Sequence, residues 1–190
     1  MKNYNPKIHH RQSTRLKGYD YSQEGSYFIT LNLKDRKCLF GEIVTVDDAV
    51  GTSHVRTSHV MSRRQKMILN NIGKIANDCW LEIPKHFPNV ILHEYIIMPN
   101  HVHGIIELTV GTSYMMSRQN KFSKPIPGSI SVIIQQYKSS VTRFVIKSNI
   151  SYFKWQSRFY ERIIRNERAF HNISEYIKNN PNKWQLGHHM

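Results

Sequence analysis

Apolar residues along the chain recur in two periods, one typical of strands and one typical of helices. β-Branched and aromatic residues dominate segments 26–33 and 90–97, which predicts two strands. Residues 37–44 are a candidate hairpin partner for the first strand. Residues 101–108 follow the second strand after a Met-Pro-Asn turn, so we expect these two strands to pair antiparallel.

Three segments show the spacing of amphipathic helices. The first spans 66–87, where two prolines close it, and the second spans about 129–147. A basic, irregular segment, 155–165, separates the second from the third, which begins after the N-cap residue Asn166 and ends before Pro181. Together with the strands, they predict an α+β fold: a ferredoxin-like antiparallel sheet with helices packed on one face, plus a C-terminal helix.

The length of 190 residues fits a single domain with its own core, spanning 1–190. Two similar polar stretches, 51–65 and 110–124, have no core pattern. Each falls between predicted elements. We interpret both as flexible surface insertions.

The charge balance indicates the kind of partner. The chain has 27 Lys and Arg against 13 Asp and Glu, a formal charge of +14, which favours nucleic acid. No apolar run is long enough to span a bilayer, and no signal peptide is evident. Cys38 and Cys79 lie singly in apolar segments, so we expect small core residues in a reducing compartment. These features predict a cytoplasmic protein without a membrane partner.

A histidine pair is the strongest chemical signal. His101 and His103 are separated by one residue in a predicted strand, so both side chains project from one face while Val102 turns into the core. Two adjacent imidazoles form half of a divalent-metal site. The alternative is a pair of half-exposed strand residues, and the sequence does not favour a closed structural zinc site, because neither cysteine has the required spacing.

The last helix offers candidates to complete the site. Phe170, Ile173 and Ile177 form its apolar stripe, Tyr176 lies at the edge of that stripe, and Asn180 lies one turn further along. A hydroxyl and an amide oxygen could therefore point to one place. An amphipathic helix with an edge tyrosine explains the same pattern.

In combination, these motifs resemble the HUH-type single-strand DNA transposases, and most closely the REP-associated tyrosine transposase-like proteins. The resemblance covers nearly the whole chain. It is carried mainly by the block MPNHVHG at 98–104 and the block YIKNNPNKW at 176–184, in that order. The two polar insertions depart from the pattern, which affects substrate choice more than chemistry.

The resemblance implies a role for each motif residue. His101 and His103 would bind a divalent metal, Mg²⁺ or Mn²⁺, and Asn180 would complete that site. Tyr176 would be the nucleophile that forms a 5′-phosphotyrosine while it nicks and rejoins single-stranded DNA at hairpin or repeat elements. The family resemblance also implies an association with the bacterial nucleoid, no obligatory protein partner, and a monomer rather than a homodimer.

Other tyrosines and many cations surround these motifs in sequence. Tyr137 and Tyr160 compete with Tyr176, but Tyr137 falls on an apolar helix side and Tyr160 lacks an amide partner at helical spacing. Cations track phosphates and rings stack on unpaired bases. The residues that we expect to bind DNA on this basis are Lys138, Arg143, Arg158, Tyr160, Arg162, Arg165 and Lys178.

Two non-enzymatic functions compete with the transposase hypothesis. The first is a domesticated, non-catalytic protein that holds hairpin DNA, against which the intact His101, His103 and Tyr176 argue. The second is an RNA-binding ferredoxin-like domain, whose sheet should carry exposed aromatic residues. The strand 102–108 has none.

Overall fold

A four-stranded antiparallel sheet is the centre of the molecule. The structure is a computed structural model that describes residues 20–47, 63–109 and 126–184. Its strands are β1 (Gly25–Asn32), β2 (Gly41–Asp47), β3 (Arg63–Leu69), β4 (Val90–Met98), β5 (His101–Leu108) and β6 (Tyr160–Ile164). Its helices are α1 (Asn71–Leu81), α2 (Ile83–His86), α3 (Ile130–Lys147) and α4 (Glu167–Lys178).

The order of strands confirms the predicted α+β class. The sheet runs β4-β5-β1-β6 with every neighbouring pair antiparallel, and α1 and α3 connect its strands in the ferredoxin-like manner. The predicted pairing of the strands on either side of the Met-Pro-Asn turn is also confirmed. No helix within the described ranges is long and apolar enough to cross a membrane.

The two faces of the sheet bury different helices. On one face, α1 and α3 pack against alternate residues of β1 and β5, including Ile29, Val102 and Ile106. On the other face, α4 places Ile177 against Ile105. Because side chains alternate along a strand, the histidines fall on the face that α4 covers.

Three predicted elements were wrong in type or partner. Segment 37–44 does not pair with β1, because β2 pairs with β3 in a separate two-stranded ribbon. The predicted helix 66–87 is interrupted: residues 63–69 form β3, and the side chain of Asn70 caps α1 by accepting from the Gly73 backbone N–H. Part of the segment 155–165 that we expected to be irregular is the edge strand β6.

The end of one predicted insertion and one of the two cysteines also differ from expectation. Residues 63–65 of the predicted insertion 51–65 belong to β3, its remainder lies outside the described residues, and so does 110–124. Cys79 is partly buried against the core as predicted, but Cys38 is exposed in the turn before β2.

Candidate active site

The sheet register places both histidines beside polar residues of β1. Thr30 pairs with His103 and Asn32 pairs with His101 across the β1–β5 ladder, so all four side chains share one face. The two imidazole centroids are 4.4 Å apart. Val102 between them is fully buried in the core on the opposite face. The predicted orientation of the HxH motif is therefore confirmed.

Each imidazole is held through its Nδ1 atom. The Thr30 hydroxyl lies 2.9 Å from His103 Nδ1, and Asn100 Oδ1 lies 2.6 Å from His101 Nδ1. Because an amide oxygen only accepts, His101 must donate from Nδ1, which leaves the lone pair on Nε2. Metal-binding histidines are commonly oriented by such a contact to the second ring nitrogen.

Burial keeps both rings in the form that binds metals. Desolvation, together with smaller contributions from the neighbouring His103 and Arg36, lowers the pKa of His101 to about 3. Desolvation likewise lowers the pKa of His103 to about 4, against a backbone hydrogen bond that raises it. Both rings are therefore neutral at physiological pH, and the neutral imidazole is the form that can act as a metal ligand.

The tyrosine helix and the histidine strand meet. Tyr176 Oη lies 3.5 Å from His103 Nε2, and the two rings are 5.4 Å apart at their centroids. Phe28 of β1 supports both rings, stacking on His103 and meeting Tyr176 edge-on. Tyr176 nevertheless keeps 40% of its surface exposed, so a substrate can reach its hydroxyl.

Asn180 approaches the same place from the end of α4. The helix ends at Lys178, yet Asn180 keeps helical dihedral angles (φ −59°, ψ −42°) although a proline follows, and its N–H donates to Ile177 O. Its side chain therefore stays one turn beyond Tyr176, as the i, i+4 spacing predicts. Asn180 is only 7% exposed and lines the cavity that contains both histidines.

The cavity between the histidine strand and α4 has a volume of about 400 Å³. Its donor set of two imidazoles, one buried amide and one phenol fits an octahedral ion such as Mn²⁺ or Mg²⁺ with positions left open. Among the described residues, no three or more His, Cys, Asp or Glu side chains are grouped so that they could hold a metal ion, so a metal here would depend on the amide or phenol oxygen.

Six residues that line this cavity were not predicted as site residues: Thr30, Asn32, Arg36, Asn100, Lys183 and Trp184. Arg36 enters from the turn after β1, and Lys183 and Trp184 enter from the turn after Asn180. Lys183 and Trp184 belong to the YIKNNPNKW block, so the motif could have predicted that they lie close to Tyr176. Arg36 is separated from the motif residues by more than sixty positions, and only the fold brings it there.

The predicted DNA-binding residues lie on different faces. Tyr160 and Arg162 of β6 pair with Thr30 and Phe28, so they share the face of the histidines, and both are exposed. Arg158 and Arg165 flank β6 and are also exposed.

The remaining predicted cations have protein partners. Lys138 and Arg143 lie on α3, across the sheet from the cavity; Lys138 donates to Gln156 O, and Arg143 covers the Phe144 ring. Lys178 on α4 pairs with Glu94 and Glu175. A role in DNA binding for these three stays a prediction.

The alternative nucleophile Tyr137 is placed in the core. It is 2% exposed, its hydroxyl donates to Ala76 O, and its ring meets Trp80 edge-on. Burial raises its pKa well above the ordinary value. Its hydroxyl is thus inaccessible to a polymer substrate.

The chain is similar to proteins of known sequence and structure. No model of a known protein family matches it. It is 38% identical to an uncharacterized protein of Haemophilus influenzae, over 96% of this chain and 94% of that protein. It is 23% identical to the REP-associated tyrosine transposase of Escherichia coli, over 86% of this chain and 70% of that protein.

The fold comparison leads to the same group. A REP-associated tyrosine transposase solved bound to a REP hairpin superposes with a TM-score of 0.52 at 18% identity, over 89% of this chain and 73% of that chain. The fold is thus that of a tyrosine transposase. The chain therefore resembles the REP-associated tyrosine transposases in both sequence and fold.

Proposed function

We propose that this protein is a metal-dependent tyrosine transposase that nicks and rejoins single-stranded DNA beside a hairpin. The observation that carries the proposal is the 3.5 Å approach of Tyr176 Oη to His103 Nε2, inside one cavity with His101 and Asn180. A nucleophile beside a set of potential metal ligands is what phosphoryl transfer to tyrosine requires. The hairpin substrate is inferred from the relatives.

Tyr176 is the proposed nucleophile. Its oxygen attacks the phosphorus of a phosphodiester, a Tyr176 Oη–P bond forms, and the bond from phosphorus to the 3′ oxygen breaks. The phenolic proton leaves to solvent through the open side of the cavity, and the released 3′ oxygen takes up one proton. The products are a 5′-phosphotyrosine and a 3′-hydroxyl, so the phosphoester bond is conserved for rejoining without ATP.

His101, His103 and Asn180 are the proposed metal ligands. Thr30 and Asn100 contact the two Nδ1 atoms and orient the rings, and the Nε2 atoms would be the metal ligands. A bound Mg²⁺ or Mn²⁺ would withdraw charge from the scissile phosphate. The neutral imidazoles contribute no negative charge that would repel the phosphate.

The exposed face of β6 is the proposed path of the unpaired strand. Tyr160 offers a ring for base stacking, and Arg162 offers a cation for the backbone. Both residues share the face of the sheet on which the histidines lie. A strand bound at the cavity can therefore continue across β1 onto β6.

A covalent-adduct assay tests the proposal. The full chain is incubated with labelled oligonucleotides that carry a hairpin and a single-stranded flank, with Mn²⁺ or with EDTA, and resolved under denaturing conditions. We expect a protein–DNA band that forms only with the metal and with an unpaired flank. The variant His101→Ala should not form this band. Binding of the hairpin without an adduct on any of these substrates would instead favour the non-catalytic DNA-binding protein.

A further inference from the structure

Two cations face the candidate active site without a carboxylate partner. Arg36 and Lys183 both line the cavity that holds His101, His103 and Tyr176, and no acidic residue of the described chain lines it. Neither cation forms an ion pair with a carboxylate in the described part of the chain, whereas Lys178 on the same side pairs with two. The cavity is therefore positively charged and open to an anion.

Lys183 is held beside the proposed nucleophile. Its Nζ atom lies 5.5 Å from the centroid of the Tyr176 ring, and its backbone N–H donates to Asn180 O at 3.1 Å. One short turn thus places the backbone of Lys183 next to Asn180, with its ammonium group near the Tyr176 ring. A cation at this position can contact a non-bridging phosphate oxygen and stabilise negative charge on the phenol oxygen.

Arg36 is held beside the first histidine by a strained turn. Asp35 and Arg36 both have positive φ, 57° and 51°, a region that L residues with side chains adopt only at a cost in free energy. The Asn100 side chain fixes this turn, because its Nδ2 donates to Arg36 O while its Oδ1 accepts from His101 Nδ1. Strain retained at a site by a buried contact is typical of functional positions.

We propose that Arg36 and Lys183 form a clamp that binds the scissile phosphate, with Lys183 on the tyrosine side and Arg36 on the His101 side. The proposal rests on the proposed function and assigns it two further residues. The clamp orients the diester so that phosphorus faces Tyr176 Oη, and it stabilises the charge that develops on the phosphate oxygens. A guanidinium is suited to this task because it donates two parallel hydrogen bonds.

Single-turnover rates of adduct formation test the clamp. We expect Arg36→Gln and Lys183→Gln each to slow adduct formation by about 100-fold. Lys183→Arg keeps the charge and should retain most of the rate. Lys74→Gln is the matched control, because Lys74 is an exposed lysine of α1 on the opposite face of the sheet and should react at the wild-type rate.

A binding measurement separates the clamp from a structural role. In a Tyr176→Phe background, Lys183→Gln should weaken binding of DNA whose scissile linkage is charged, but not of DNA with a neutral methylphosphonate at that linkage. Mn²⁺ affinity and thermal stability should stay unchanged. Equal losses for both DNAs, a matching loss of Mn²⁺ affinity, or wild-type adduct rates in both glutamine variants would overturn the clamp. Absence of any adduct with the wild-type protein would overturn the proposed function itself.

Discussion

Thr30 Oγ1 lies 2.9 Å from His103 Nδ1, across the ladder that joins β1 to the histidine strand. We expect Thr30→Val to lower Mn²⁺ affinity by about 10–100-fold, because the imidazole loses the contact that orients it. Isothermal titration with Mn²⁺ measures the effect. Thr30→Ser keeps the hydroxyl and should bind nearly as the wild type does. Equal affinities for the valine and serine variants would contradict this role.

Gly104, directly after the HxH motif, has no room for a side chain. A Cβ atom there would lie 2.3 Å from Trp80 Cζ2, in the core between the sheet and α1. We expect Gly104→Ala to lower the free energy of unfolding by about 1–3 kcal/mol, as overpacking typically does. Urea unfolding measures it. In a Trp80→Phe background the same substitution should cost less, and an equal cost in both backgrounds would exclude this contact as the cause.

The N-cap of the tyrosine helix gives a further prediction. Asn166 Oδ1 accepts from the Ala169 backbone N–H at 2.8 Å. Asn166→Ala should lower the free energy of unfolding by about 1 kcal/mol, while Asn166→Asp should preserve it. Hydrogen exchange should show the added opening in α4. Unchanged protection of the α4 amides in the alanine variant would show that packing alone holds this helix.

The position of the basic residues predicts that the two faces of the sheet contribute differently to the binding of single-stranded DNA. Arg162 shares the face of the histidines, whereas Arg143 lies on α3 and covers the Phe144 ring. Arg162→Gln should therefore weaken binding of single-stranded DNA and lower its salt dependence by about one phosphate contact, and Arg143→Gln should have the smaller effect. Fluorescence anisotropy at several salt concentrations tests this order. The reverse order would place the DNA path along α3.

The proposed nucleophile and metal ligands could be predicted from the sequence because their spacing is local. A two-residue strand period sets the histidines on one face, and a four-residue helical spacing relates Tyr176 to Asn180. The meeting of strand and helix depends on the contact of Ile177 with Ile105, which involves positions 72 residues apart and no local signal. Arg36 was missed for the same reason.

The errors in the predicted fold have local causes. Residues 64–69 alternate between exposed and half-buried positions, and Ile68 falls by chance at helical spacing from Ile72 and Ile75. Residues 37–44 directly follow β1, but β1 is already paired on both sides, with β5 and β6. Only the strand order reveals that both of its edges are occupied.

The most direct test of the central claim compares two exposed tyrosines. Tyr176 lies 3.5 Å from His103, whereas Tyr152, 60% exposed, lies in the segment after α3 and does not line the cavity. With hairpin-bearing single-stranded DNA and Mn²⁺, Tyr176→Phe should abolish the covalent adduct and Tyr152→Phe should leave its yield unchanged. A Tyr176→Phe protein that still forms the adduct would contradict the assignment of the nucleophile.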